Sequence, residues 1–288
     1  MIIDFRFTAP TPGGLTRYIS PAPHMQKYAA AYGDRVFGGK NPDVRFMEVT
    51  ELLAFMDRSG VDKVFIKTGD AETTLGAGKK YAPADLYEYI KEHPDRLMAN
   101  VGVDPYKGET ALEEMELAIR ELGFKGIGMQ PFELKLYAND KRCYPFYAKA
   151  QELGVPVLIH TSINFVPEMS LDHGRPIYLD EVASHFPNLK IVAVHGGWPW
   201  VLEMIAVAWR HPNVFIEISG VRPKYIATPN SGWDPLLVYG NGLLQDKVLW
   251  ASNWPMGTPE EGIEGVRSFP LKESVKEKWL GLNAARVL

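Results

Sequence analysis

Six short joints constrain this chain more than any other feature of its sequence. Three are glycines that stand just past a helical pattern and just before a strand-like run: Gly60-Val61-Asp62, Gly123-Phe124-Lys125 and Gly154-Val155-Pro156. Glycine there takes the left-handed conformation that ends a helix without steric cost. The other three, Pro94-Asp95, Pro187-Asn188 and Pro212-Asn213, use proline to stop the helix before the next strand. Repeated helix-to-strand joints of two kinds indicate regular β-α alternation, and therefore a parallel sheet.

The strand-like runs are Ile2–Phe7, Asp62–Lys67, Leu97–Val103, Phe124–Gln130, Val155–His160, Leu189–His195, Val214–Ile218 and Lys247–Ser252, eight in all. Between them Val49, Leu52, Leu53 and Met56 recur at helical spacing, as do Ala111, Met115, Ala118, Ile119 and Leu122. Eight strands in 288 residues predict an α/β fold, a single (β/α)8 TIM-type barrel over 1–288. An open doubly wound sheet would be supported by a GxGxxG or Walker loop, and neither is present. One connection breaks the rhythm. From about 8 to 46 the chain is rich in Pro, Gly and Tyr without clear periodicity, which reads as a lid-like loop over the active-site face or as a surface excursion.

Composition narrows the function. A net charge of −4 gives no case for nucleic acid or an anionic membrane as partner. No apolar stretch approaches the length of a bilayer span, and no signal-peptide core follows Met1. The one cysteine, Cys143, suits a reducing cytoplasm, which is the expected location.

Three runs close on a polar residue: VPVLIH on His160, LKIVAVH on His195 and KVLWASN on Asn253. In a barrel of parallel strands the C-terminal strand ends form the active-site floor. His160, His195 and Asn253 are therefore the catalytic candidates.

The opening IIDFRF, the IHT of the fifth strand, VHGGWPW at the sixth, WASNWP at the eighth and the closing LGLNAARVL together resemble the amidohydrolase superfamily over essentially the whole chain. The branch resembled holds aminocarboxymuconate semialdehyde decarboxylases, resorcylate-type decarboxylases and pyrone or muconolactone hydrolases. That resemblance implies a metal-assisted enzyme, commonly a dimer or higher homo-oligomer. This chain departs from the pattern. The family opens with Asp-x-His-x-His, whose histidines bind a divalent metal, whereas here Asp4-Phe5-Arg6-Phe7 leaves both imidazoles missing. The aspartate that usually ends the eighth strand is Asn253. Any metal would fall to His160 and His195, short of the three protein ligands of a catalytic zinc. The expectation is no cofactor, with a single divalent metal such as zinc as the alternative.

The remaining charges suggest what the pocket would hold. Arg6 would grip a carboxylate bidentately. Lys67, Gln130, Glu217 and Trp198 would complete the binding surface for a small carboxylate-bearing molecule. Trp198, Trp200 and Trp254 form either an apolar wall or ordinary core, and Arg6 could instead pair with Asp4 or Glu217. His195, His160, Glu217 and Asp70 are the candidate bases, and His24 rides on the lid-like segment. The leading expectation is a hydrolase of a lactone or related cyclic carbonyl compound, working without metal. A non-oxidative decarboxylase and a non-catalytic binding barrel are the alternatives.

Overall fold

The computed structural model describes residues 1–19, 26 and 42–288. The strands are β1 (Ile3–Phe7), β2 (Lys63–Ile66), β3 (Leu97–Ala99), β4 (Val101–Gly102), β5 (Ile127–Met129), β6 (Val157–His160), β7 (Ile191–Val194), β8 (Val214–Ile218) and β9 (Val248–Trp250). All pair in parallel, as β1-β2-β3 and as β4 through β9 in sequence order. β3 and β4 are one stave interrupted at Asn100. The Asn100 side chain leaves the ladder to bond the end of β2, accepting from Thr68 N (3.2 Å) and donating to Thr68 O (3.3 Å). Every strand predicted from sequence is present, and the result is the (β/α)8 barrel.

The seam between β1 and β9 has no ladder of its own. Asp4 crosses it, accepting from Ser252 N (2.9 Å) and Ser252 Oγ (2.5 Å), and Thr8 N donates to Trp254 O (3.2 Å). Burial pushes the Asp4 carboxyl up to about 6, although the Ser252 bonds pull the other way. A neutral acid would still accept one of these bonds, so the seam tolerates either charge state.

Local chemistry explains the periphery. The helix Val49–Arg58 turns Leu52, Phe55 and Met56 into the core, and Glu109–Arg120 turns in Ala111, Met115 and Ala118. Gly60, Gly123 and Gly154 all sit at φ near +72 (72°, 71° and 72°), the left-handed region that would cost an L-residue roughly 1 kcal/mol or more. The lid-like segment corrects in part. Pro12–Ile19 forms a helix, and Thr11 Oγ1 lies 2.5 Å from Tyr81 Oη, so its start is tied to the barrel. The segment's remainder through 41, with His24, lies outside the described residues apart from residue 26. Among the described residues, no helix is long and apolar enough to cross a membrane.

The interior of the barrel is filled from below by Ile3, Phe5, Phe65, Leu158, Val192, Val194, Leu249 and Ala251, all buried. Phe5 stacks on Phe65 with ring centroids 4.9 Å apart. This plug is what the polar floor rests on.

Candidate active site

A register shift in β1 between Asp4 and Phe7 shapes the site. Phe5 faces the apolar plug and Phe7 faces outward, stacked on Trp254 at 4.9 Å. Arg6, 8 % exposed, is left with the polar groups at the strand ends: its charge acts on His160, His195 and Glu217. Counted from Asp4, the Asp-x-His-x-His pattern falls on Arg6 and Thr8, not on the two phenylalanines. The missing imidazoles are thus replaced by a cation and a hydroxyl, and Thr8 is a site position that the sequence reading passed over.

Lys67 Nζ, from the residue after β2, donates to Asn253 Oδ1 across the barrel mouth. Asn253 Nδ2 in turn approaches Met256 Sδ at 3.4 Å. The rings of His160 and His195 meet edge to face, 5.1 Å between centroids. His195 Nδ1 lies 3.0 Å from Ser219 O and 2.9 Å from Ser219 Oγ. A ring nitrogen facing a carbonyl carries the proton, which leaves Nε2 as a lone pair. Gly220, at φ 72°, packs so close that a Cβ would lie 2.8 Å from His195 Nδ1. The backbone of His195 (φ 73°) and of Asn253 (φ 56°) is itself left-handed, a strain of roughly 1 kcal/mol or more that re-aims each side chain at its strand end.

The electrostatics follow from burial among cations. Burial, then the nearby Arg6 guanidinium, pushes His160 down to about 3. His195 is held well below its usual value by burial, Arg6, His160 and Lys67. Both imidazoles are neutral at pH 7. Glu217, fully buried on β8, accepts from His195 N at 3.2 Å, and burial pushes it up to about 7 against the pull of Arg6. Thr8 Oγ1, His160 Nδ1 and Glu217 Oε1 are buried with no hydrogen-bond partner among the described residues. Such groups cost about 1–3 kcal/mol each when left unsatisfied, and the three mark where a polar ligand would complete the floor.

Arg6, Lys67, His160, His195, Glu217 and Asn253 are therefore brought together at the strand ends. Gln130 follows β5 and packs beside the β2 loop, with Nε2 3.0 Å from the place of a Gly69 Cβ. Trp198 does not join them: its indole packs on the outer core, and its carbonyl accepts from Ile163 N (3.2 Å) and Ser162 Oγ (2.9 Å). Trp254 is core as well. Asp70 is held in ion pairs with Lys107 (2.6 Å) and Lys80 (3.9 Å), not at the floor.

A parallel barrel with a polar, strained constellation at its C-terminal strand ends defines an enzyme-type TIM barrel. A family model described as amidohydrolase matches residues 28–288, and the chain belongs to that family. It is 24% identical over 288 residues to the 2-amino-3-carboxymuconate-6-semialdehyde decarboxylase of Dictyostelium discoideum, covering 86% of this chain and 76% of that one. Among solved structures it resembles an uncharacterised TIM-barrel protein of Bordetella bronchiseptica (TM-score 0.81, 25% identity, 99% of this chain and 97% of that one). It also resembles the 5-carboxyvanillate decarboxylase of Novosphingobium aromaticivorans, solved with manganese and 4-hydroxy-3-methoxy-5-nitrobenzoic acid (TM-score 0.73, 17% identity, 100% and 95%).

These relatives correct two expectations. The hydrolase expectation gives way, because the characterised proteins that the chain resembles are mostly decarboxylases. The expectation of no cofactor gives way too, because a barrel of this fold is solved with manganese bound. The donor set at the corresponding place is nevertheless unlike a three-ligand divalent site. Arg6 and Thr8 occupy the two motif positions, Asn253 Oδ1 is taken by Lys67, and no three His, Cys, Asp or Glu side chains gather among the described residues.

Proposed function

We propose that the chain, acting as one domain, is a non-oxidative carboxy-lyase that releases CO2 from a small conjugated carboxylate. One observation carries this reading: two cations, Arg6 and Lys67, stand over two neutral imidazoles at a floor whose buried polar atoms await partners. Its kinship with decarboxylases supports the same reaction.

The chemistry follows from the charges. Arg6 and Lys67 receive the anionic end of the substrate and stabilise the negative charge that builds as the carbon–carbon bond breaks. Asn253 holds Lys67 in place, Thr8 and Gln130 supply neutral hydrogen bonds, and His160 Nδ1 meets a substrate hydroxyl or carbonyl. The bond's electron pair remains with the carbon that loses CO2, and that carbon needs a proton. In the free site His195 is neutral because burial and the cations disfavour its charged form. An anionic substrate offsets Arg6 and Lys67, so His195 takes up a proton and delivers it from Nε2 to the vacated carbon. Solvent then restores that proton. Glu217 anchors the His195 backbone and answers part of the Arg6 charge. The resemblance and the buried Cys143 favour a cytoplasmic homo-oligomer, which size-exclusion chromatography would check.

The test is CO2 release from a panel of hydroxybenzoates and unsaturated carboxylates, with His195→Gln as control. The variant is expected to lose about 10²- to 10⁴-fold in rate with its melting curve intact. CO2 from no member of the panel, or an undiminished rate in His195→Gln, would overturn the reading.

A further inference from the structure

Beside the floor lies an apolar cluster that belongs to neither large core. It consists of Phe132, Val166 and Met169, with Leu75 packed against it. Phe132 comes from the turn of helix Pro131–Leu134 directly after β5, and Val166 and Met169 from the segment after β6. All three therefore sit at the C-terminal strand ends. The Phe132 ring tilts over His160 at 4.6 Å between centroids. The cluster is 4 %, 5 % and 8 % exposed, as closed to solvent as His160 at 6 % and Arg6 at 8 %, and the Phe132–His160 contact joins it to the floor.

The cluster is held by built-in polar contacts rather than by collapse alone. Asn164, buried, accepts from Val166 N at 3.0 Å and donates to Met169 O and Ser170 O at 3.4 Å. On the other side Thr74 Oγ1 donates to Glu133 O at 2.7 Å, fixing the turn that carries Phe132. The charged groups flanking the wall, Glu133 and Lys79, answer each other at 3.4 Å.

We infer that Phe132, Val166 and Met169 select the far end of the substrate, admitting an apolar ring edge and rejecting a second carboxylate. The inference rests on the proposed function only for where the first carboxylate sits, on the Arg6 and Lys67 side. A ligand anchored there and lying over His160 runs into the wall. A ring edge gains contact with Phe132, whereas a carboxylate would be desolvated against three hydrocarbon side chains. The wall thus separates ring-bearing monocarboxylates from open-chain dicarboxylates.

Calorimetric titration of the full chain with benzoate, cis,cis-muconate and acetate tests this without turnover. Benzoate is expected to bind tightest and muconate at least about tenfold more weakly. Phe132→Ala should weaken benzoate by up to about tenfold and leave acetate unchanged, since acetate needs only the cations. Should that variant fail to fold, Met169→Lys provides a second reading: a cation in the wall should raise muconate affinity at the expense of benzoate. The inference fails if muconate matches benzoate, if acetate weakens in step with benzoate in Phe132→Ala, if Met169→Lys gains nothing for muconate, or if none of the three binds. A ring preference without CO2 release from any substrate would sink the carboxy-lyase reading and leave the wall standing.

Discussion

Along β2, Phe65 fills the barrel interior, and two residues later Lys67 reaches the floor. Along β6 the same step leads from Leu158 to His160. Plug and floor are built on the same strands a few ångströms apart, yet they obey different rules. The plug is uniformly apolar, and each of its large side chains is stabilised by about 1.5–3 kcal/mol of burial without needing a particular partner. The floor depends on individual identities, because buried charges and imidazoles are costly unless each is answered. The plug therefore carries stability while the floor carries a charge state, and separate measurements should pull the two apart.

The largest separation is expected in the plug. Phe5→Ala removes a fully buried ring stacked on Phe65, and should cost about 3–5 kcal/mol in denaturant unfolding. The affinity for a carboxylate ligand should hardly change. A large loss of affinity in a folded Phe5→Ala protein would break the distinction between the two layers.

Next comes the pH dependence that the floor imposes on folding. Glu217 is raised from its ordinary 4.5 to about 7 in the folded chain, so the folded form holds this proton longer than the unfolded one. The stability it contributes is present below about 4.5 and is lost as pH rises through about 7. His160, lowered to about 3, has the opposite sign and destabilises the fold as pH falls below its usual 6.5. Comparing unfolding free energies of the unmodified chain and Glu217→Gln isolates the first effect. The variant should gain on the parent by up to about 3 kcal/mol between pH 5 and 8. Parallel pH profiles would show that Glu217 is not held neutral by its surroundings.

The smallest effect sharpens the floor itself. Arg6→Lys keeps the charge and loses the planar fork, and should weaken carboxylate binding by about 1.5–3 kcal/mol, or roughly ten- to a hundredfold, with little change in stability. Unchanged affinity would return Arg6 to a purely structural role.

The difference between the layers also explains what the sequence made legible. Strand positions, the glycine ends at Gly60, Gly123 and Gly154, and the convergence of His160, His195 and Asn253 depend on periodicity and local sterics, which any strong pattern reveals. Arg6 and Thr8 are legible too, since counting Asp-x-His-x-His from Asp4 falls on them. The face each β1 side chain takes is not, because a shift of one residue moves a side chain to the other face of a strand, and β1 shifts register between Asp4 and Phe7. Short helices such as Pro12–Ile19 escaped because proline and glycine mask the apolar spacing. The wall at Phe132 escaped because its members are far apart in the chain and meet only after two loops are folded. For Trp198 the sequence leaves an apolar wall and ordinary core open, and in the structure its indole packs against the outer core.

The seam has a bearing on how the protein is made. Asp4 and Ser252, which close the barrel between its first and last strands, are 248 residues apart. During synthesis β1 leaves the ribosome long before β9, the strand that shields its open edge. For most of that time the nascent chain presents an unpaired edge, the sort of template that invites association with other chains. The buried acid at position 4 gives that edge a polar group that apolar neighbours would pair with poorly. A residue that fastens the finished barrel would also discourage the unfinished one from sticking.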